Sequence, residues 1–193
     1  MIVFLRGNYV RMNPASVWVE VNGTGYEVQI SLHTYSQIQH LKEGMLYTYL
    51  QIKEDAHSLF GFAEEEERNM FVLLLSVSGV GASTARMMLS SMKPDELAQA
   101  IRSNDERSLE KIKGIGAKSA KRIILELREK VMKIKPVENN LGGTHTNVEN
   151  DALFALISLG ISRAPAQAAL EKTMKSHPDL NLEELIKQTL KSI

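Results

Sequence analysis

Over residues 1–63 apolar positions alternate with polar ones. In "SVWVEV", Val17, Val19 and Val21 share one face, and in "YEVQI", Tyr26, Val28 and Ile30 do the same. A period of two marks a half-buried strand. The "NGTG" between them predicts a hairpin turn, because Asn-Gly accepts the backbone twist that joins two such strands. "MIVFLRGNYV" before this pair, and "MLYTYLQI" and "SLFGF" after it, predict further short strands, and "HTYSQIQHL" has room for one short helix. Five or six strands and one helix in so short a segment point to a small closed barrel of the OB type. An open antiparallel sheet is the alternative, and it would leave strand edges unprotected.

From Glu64 the spacing lengthens to a helical period. "EEEERNMFVLLLSV" opens on four glutamates, which suit the positive end of a helix dipole, and runs on as an apolar stretch. "ASTARMMLSSM", "KPDELAQAIRS", "ERSLEKI" and "AKSAKRIILELREKVMKI" follow, all helix-compatible and punctuated by Gly, Pro, Asn and Asp. Residues 135–150 have no period and are rich in Gly, Asn and Thr, as in a flexible linker. Three short helices follow: "DALFALISLG", "SRAPAQAALEKTMKS" and "NLEELIKQTLKS". Ser162 is placed to cap the second of these, and Asn181 with Glu184 fits a capping box on the third. The expected organisation is an α+β multidomain chain: barrel 1–63, all-helical domain 64–135, linker 136–150 and a docking module over 151–193.

Composition narrows the function. No apolar run approaches the length of a membrane span, and the amino terminus lacks the pattern of a secretory signal. The chain has no cysteine, which excludes disulfides, thiolate metal sites and a cysteine nucleophile, and fits a cytoplasmic protein. The five histidines share no metal-ligand spacing, and no nucleophile-base set stands out. Neither a metal nor a cofactor is expected. The net charge is zero but unevenly spread. Residues 1–63 hold 4 basic and 5 acidic side chains, 64–135 hold 14 and 11, and 136–193 hold 5 and 7. Lys111 to Lys135 alone carries nine basic residues against two acidic ones, a footprint for a polyanion or a solvated helix face.

That basic stretch contains one half of a repeat. "VSGVGASTARMML", from Val77, aligns with "IKGIGAKSAKRII", from Ile112, at an offset of 35 residues. Gly79 matches Gly114 and Gly81 matches Gly116. Each copy has an apolar helix, a Gly-apolar-Gly turn and a helix that begins with small residues. Such a turn brings backbone N–H groups to an oxyanion at a helix amino terminus. Ser83, Thr84 and Ser119 can add hydroxyl bonds, and Lys118, Lys121 and Arg122 supply charge at the second copy. None of these groups reads a base edge, so the expected ligand is a sugar-phosphate backbone, bound without regard to sequence. A single copy would be equally compatible with a tight helix-to-helix turn. Neither copy has the spacing of a nucleotide-binding loop.

A basic Gly-apolar-Gly turn between helices resembles the helix-hairpin-helix motif. Two of these after an OB-like barrel, with a linker and a three-helix tail, resemble the RuvA family across essentially the whole chain. "LRGNYV", "VNGTGYEVQI" and "IKEDAHSLFGFAEEEER" are similar to family segments too. The resemblance implies a homotetramer, or an octamer on DNA, that holds four-way (Holliday) junction DNA on a concave basic face. It implies a tandem helix-hairpin-helix domain that binds DNA, and a UBA-like third module that docks the hexameric ATPase RuvB, with the resolvase RuvC as a further candidate partner. It places an acidic pin on Glu54 and Asp55, which on sequence alone read as a polar turn between strands. It assigns Leu156, Leu159, Ile161 and Leu170 jointly to the module's core and its partner surface. The first hairpin departs from the family, with Ala82 and Ser83 where Pro-Lys is common, so that Arg86, a turn later, becomes its candidate cation.

Two other classes compete. A nuclease, glycosylase or ligase would carry helix-hairpin-helix pairs as an accessory module but needs a metal-carboxylate cluster or a catalytic lysine. A single-strand-binding OB protein needs aromatic platforms in a basic groove, and this barrel segment carries a net −1. Met87, Met88 and Leu73–Leu75 read as core or subunit contact. Trp18, opposite the valine face, is a barrel or an interface residue.

Overall fold

The computed structural model describes residues 1–133, 144–177 and 180–192. Five strands close a barrel in the order β1-β2-β3-β5-β4: β1 (Phe4–Asn13), β2 (Ser16–Val21), β3 (Thr24–Ile30), β4 (Glu43–Ile52) and β5 (His57–Phe62). All neighbours run antiparallel except β3 and β5, which are parallel, and helix α1 (Leu32–Ile38) connects β3 to β4. The expected hairpin is present. Asn22 and Gly23 both take positive φ, 49° and 82°, as a two-residue turn of right-handed twist demands. A register shift between Tyr9 and Arg11 on β1 bends that strand along the curve of the wall. Val17, Val19, Val28, Ile30 and Leu46 fill the interior, while Trp18 faces outward with Arg11 Cζ 5.2 Å from its ring centre.

The helices α2 (Glu65–Leu75), α3 (Ala82–Ser91), α4 (Pro94–Arg102), α5 (Glu106–Glu110) and α6 (Ala117–Lys133) form two hairpins, α2–α3 and α5–α6, with α4 between them. They are not separate from the barrel. Met1–Lys135 forms one compact unit, and the core runs across the expected boundary at residue 64. Phe71 of α2 is its hub, with ring centres 5.1 Å from Phe60, 4.9 Å from Phe62 and 5.6 Å from Tyr49. Aromatic pairs at such distances add about 0.5–1.5 kcal/mol each beyond area burial. Met88 and Leu74 are buried in the same core, whereas Met87 is exposed.

Polar contacts fix the joint. Glu67, fully buried in the first turn of α2, accepts from the hydroxyls of Ser31 and Thr34, the latter at 2.6 Å. Each hydroxyl in turn accepts a backbone N–H, from Thr34 and Ala63 respectively, so both hydroxyl protons are free for the carboxylate. Burial pushes the Glu67 carboxyl above its ordinary range, against the lowering effect of these hydroxyls and of His33. Arg68 Nε donates to the Thr48 carbonyl at 3.0 Å, and the Leu32 N–H to Ser90 Oγ at 3.1 Å.

Residues 136–193 form the second compact unit, with helices α7 (Thr144–Ser158), α8 (Arg163–Ser176) and α9 (Leu182–Ser192) around Ala152, Leu156, Ala166, Leu170 and Leu185. Helix α7 begins at Thr144, inside the segment expected as linker; "THTN" offers no apolar position from which a period could be read. The remainder of that expected linker, up to residue 143, lies outside the described residues. Ser162 sits at the amino-terminal cap of α8, but its side chain makes no capping bond. Asn181 Oδ1 does accept from the Glu184 N–H, at 3.0 Å.

Candidate nucleic-acid interface

The two turns have the same backbone. Val80 N–H donates to the Val77 carbonyl and Ile115 N–H to that of Ile112, at 3.1 and 3.0 Å. Ala85 donates to Gly81 and Ala120 to Gly116, both at 2.9 Å. Gly79 and Gly114 take φ of +88° and +91°. Side chains with a Cβ are strongly disfavoured in that region, so these first glycines are explained by the turn itself.

The second glycines are not. Gly81, with φ −88° and ψ 170°, is in ordinary extended backbone as the amino-terminal cap of α3. A Cβ placed on Gly81 or Gly116 would meet no atom of the chain within 4 Å. Neither strain nor internal packing requires glycine there. The space beside each is open, and Gly81 stands at a helix N-cap, a position that itself favours glycine over alanine.

Around these turns the side chains divide. Ser83 and Lys118 occupy equivalent exposed positions, and Thr84 and Ser119 equivalent half-buried ones. Ser78, Gly79 and Val80 of the first turn line a cleft of about 250 Å³ together with Lys118, Ser119 and Arg122 of α6. The fold thus brings the two halves of the repeat to one place. Lys121 lies 3.9 Å from Glu106 and is 67% exposed, a surface pair of little strength that leaves it available. Asp105 caps α5 by accepting from the Ser108 N–H at 3.1 Å and its hydroxyl at 2.6 Å, which hold its carboxyl below the usual range.

Two expected ligands are engaged within the chain. Arg86 Nη1 donates to the Ala15 carbonyl at 3.0 Å, tying α3 to the β1–β2 turn of the barrel. That bond engages one of its five N–H donors in the joint between α3 and the barrel. Arg122 Nη1 donates to the Ser78 carbonyl at 3.1 Å, so it reaches across to the first turn rather than standing free at the second.

Glu54 and Asp55 stand at the tip of the β4–β5 connection, which is closed by a 2.9 Å bond from Lys53 N–H to the Ala56 carbonyl. Both are exposed. In the second unit, Leu156 and Leu170 are core residues and Ile161 packs against that core. Of the residues expected to be shared between core and partner surface, Leu156 and Leu170 thus fall to the core, while Ile161 is half-buried. Leu159 is 63% exposed and is accompanied by Phe154 at 74% and Ile157 at 36%. Phe154 and Ile157 escape a reading of the sequence because "DALFALISL" is apolar on every side. Their spacing of three, opposite the buried Ala152 and Leu156, was the available signal. Among the described residues no group of three or more His, Asp or Glu side chains is placed to hold a metal ion.

Three family models match the chain: the RuvA N terminal domain over residues 1–61, a SAM-like helix-hairpin-helix tandem over 71–129, and the RuvA C-terminal domain over 147–193. Proteins named Holliday junction branch migration complex subunit RuvA are similar to it along its whole length. That of Christiangramia forsetii is 46% identical over 193 residues, covering 100% of both chains. That of Flavobacterium psychrophilum is 44% identical over 194 residues, and that of Bacteroides fragilis 40% over 201, each again covering 100% of both. With barrel, paired hairpins and terminal module all matched in order, the chain belongs to the RuvA family.

Proposed function

We propose that this chain is a non-catalytic DNA-holding subunit of a branch migration complex: it grips four-way junction DNA by the sugar-phosphate backbone and recruits RuvB, the ATPase that supplies the motion. The observation that carries the phosphate contact is the open space at Gly81 and Gly116, in line with the exposed amino termini of α3 and α6. A phosphate is small, anionic and indifferent to base identity, and it fits amides at a helix start. Lys118 and Lys121 add charge at the second turn, and Ser83, Thr84 and Ser119 add hydroxyls.

The reading extends to assembly. A homotetramer, doubled to an octamer on DNA, would gather the Glu54 and Asp55 carboxylates of each protomer near one axis. Carboxylates repel phosphates, and at physiological salt this repulsion reaches about 8 Å. A continuous duplex would have to cross that charge, whereas the strands of an open junction pass around it, so the pair would act against the wrong shape. Phe154, Ile157 and Leu159 are exposed apolar side chains available to a docked motor, with Leu182 and Leu190 also exposed in the same unit. RuvC is a further partner in this reading.

The test is a titration of four-way junction, linear duplex and single strand at one salt concentration, with branch migration measured on adding RuvB and ATP. The expected order is junction above duplex above single strand, with migration only when both proteins are present and no strand cleavage in Mg²⁺. Equal affinity for the three, or cleavage, would overturn the reading.

A further inference from the structure

Glu126 lies on the helix that carries Lys118, Lys121 and Arg122. A carboxylate on a surface that meets phosphate lowers affinity unless it has another task. Its Oε2 accepts from the Ser78 backbone N–H at 3.4 Å, a long bond, while Arg122 one turn earlier donates to the Ser78 carbonyl at 3.1 Å. One turn later, Lys130 Nζ donates to Ser76 Oγ at 3.0 Å. Residues 122, 126 and 130 recur every four positions and share one face of α6. That face holds both backbone groups of the residue immediately before Gly79, whose φ of +88° shapes the first turn.

The second turn has no counterpart. Lys113 stands where Ser78 does in the repeat, and among the described residues no side chain bonds its backbone. The positions of α3 equivalent to Arg122 and Glu126 are Met87 and Ser91. Met87 is exposed, and the Ser91 hydroxyl donates to the Met87 carbonyl of its own helix.

We infer that Arg122 and Glu126 are positioning residues for the first hairpin: by clamping Ser78 they preset that turn from the helix of the second hairpin. The hairpin without a lysine at its helix start thus depends on the one that carries Lys118 and Lys121 for its geometry. A turn already held in its binding shape loses less entropy when phosphate arrives. The effect on binding rests on the phosphate reading above, but the clamp does not.

Glu126 gives a test with opposed signs. Were it only a charge, Glu126→Ala and Glu126→Gln would both bind junction DNA more tightly than the parent, since each removes a repelling carboxylate. As a positioning residue, Glu126→Ala weakens binding by about two- to tenfold, the equivalent of one hydrogen bond. Glu126→Gln, whose amide oxygen still accepts from Ser78, retains most of the affinity. The slope of log K against log salt stays as in the parent for both, because every phosphate-binding cation is still present. In the free protein, amide exchange at Ser78 and Gly79 speeds up in Glu126→Ala and stays unchanged at Lys113 and Gly114. Tighter binding by both variants, or unaltered exchange at Ser78, overturns the inference. Should the parent fail to prefer junctions, the proposed function falls while the exchange measurement still judges the clamp.

Discussion

Residues 77–85 and 112–120 fold into one turn twice, with almost the same burial, yet the polar contacts around the two copies differ. In the first hairpin, Glu67 and Arg86 are committed to the barrel, and Ser78 is held by α6. In the second, Lys118 is exposed and Lys121 carries only a surface ion pair. On the phosphate reading proposed above, the first copy would offer amides and hydroxyls, and the second would add the exposed charge of Lys118 and Lys121. A repeat of sequence preserves the turn, not the contacts around it.

The largest expected effect tests that division of charge. Lys118→Ala with Lys121→Ala should weaken binding to every junction sequence alike, and should flatten the salt slope by about 0.9 for each phosphate that is no longer neutralised. Ser83→Ala with Thr84→Ala in the first hairpin should cost less and leave the slope unchanged. Equal slopes for the two variants would show that the hairpins do not differ in charge. A loss of affinity on some sequences only would mean that bases are being read.

A smaller effect separates the two glycines within each turn. Gly114→Ala forces a Cβ into positive φ and should lower stability by about 1–2 kcal/mol, measured by urea unfolding. Gly116→Ala meets no neighbour and should cost less, about 0.5–1 kcal/mol for the lost N-cap preference, while still reducing junction affinity. The pair Gly79→Ala and Gly81→Ala should divide in the same way. If Gly116→Ala bound DNA as the parent does, the open space there would not be a phosphate site.

Much of this was legible in the sequence, and what was not has physical causes. The barrel showed itself because alternation and an Asn-Gly turn are local. The paired turns showed themselves because the glycine spacing occurs twice. The fate of Arg86 and Arg122 was hidden, since each pairs with a backbone carbonyl distant in sequence, and carbonyls carry no residue signature. In α7, apolar residues on all sides left core and surface undivided. The joint was partly visible. Met70, Phe71 and Leu74 form a helical stripe, and Glu67 lies one turn before them on the same stripe, marking it as the inward member of four glutamates.

Glu67 also provides the smallest expected effect, confined to the hairpin that is anchored. Its carboxyl is raised chiefly by burial, with Glu64 adding to the rise and the Ser31 and Thr34 hydroxyls and His33 opposing it. A carboxyl with a folded-state value above its unfolded value, about 4.3, binds its proton more tightly in the native state. Its stabilising contribution is then full below the unfolded value and is lost as pH rises through the folded one. Glu67→Gln removes that titration and can still hydrogen-bond both hydroxyls. The stability of the parent relative to Glu67→Gln should therefore fall as pH is raised above the unfolded value, about 4.3, in paired urea titrations at each pH. The second hairpin has no such buried carboxylate in the barrel joint, so the salt slope set by Lys118 and Lys121 should be the same in Glu67→Gln and parent. A stability difference that stayed flat with pH, or grew as pH rose, would mean that Glu67 is not held above its ordinary range.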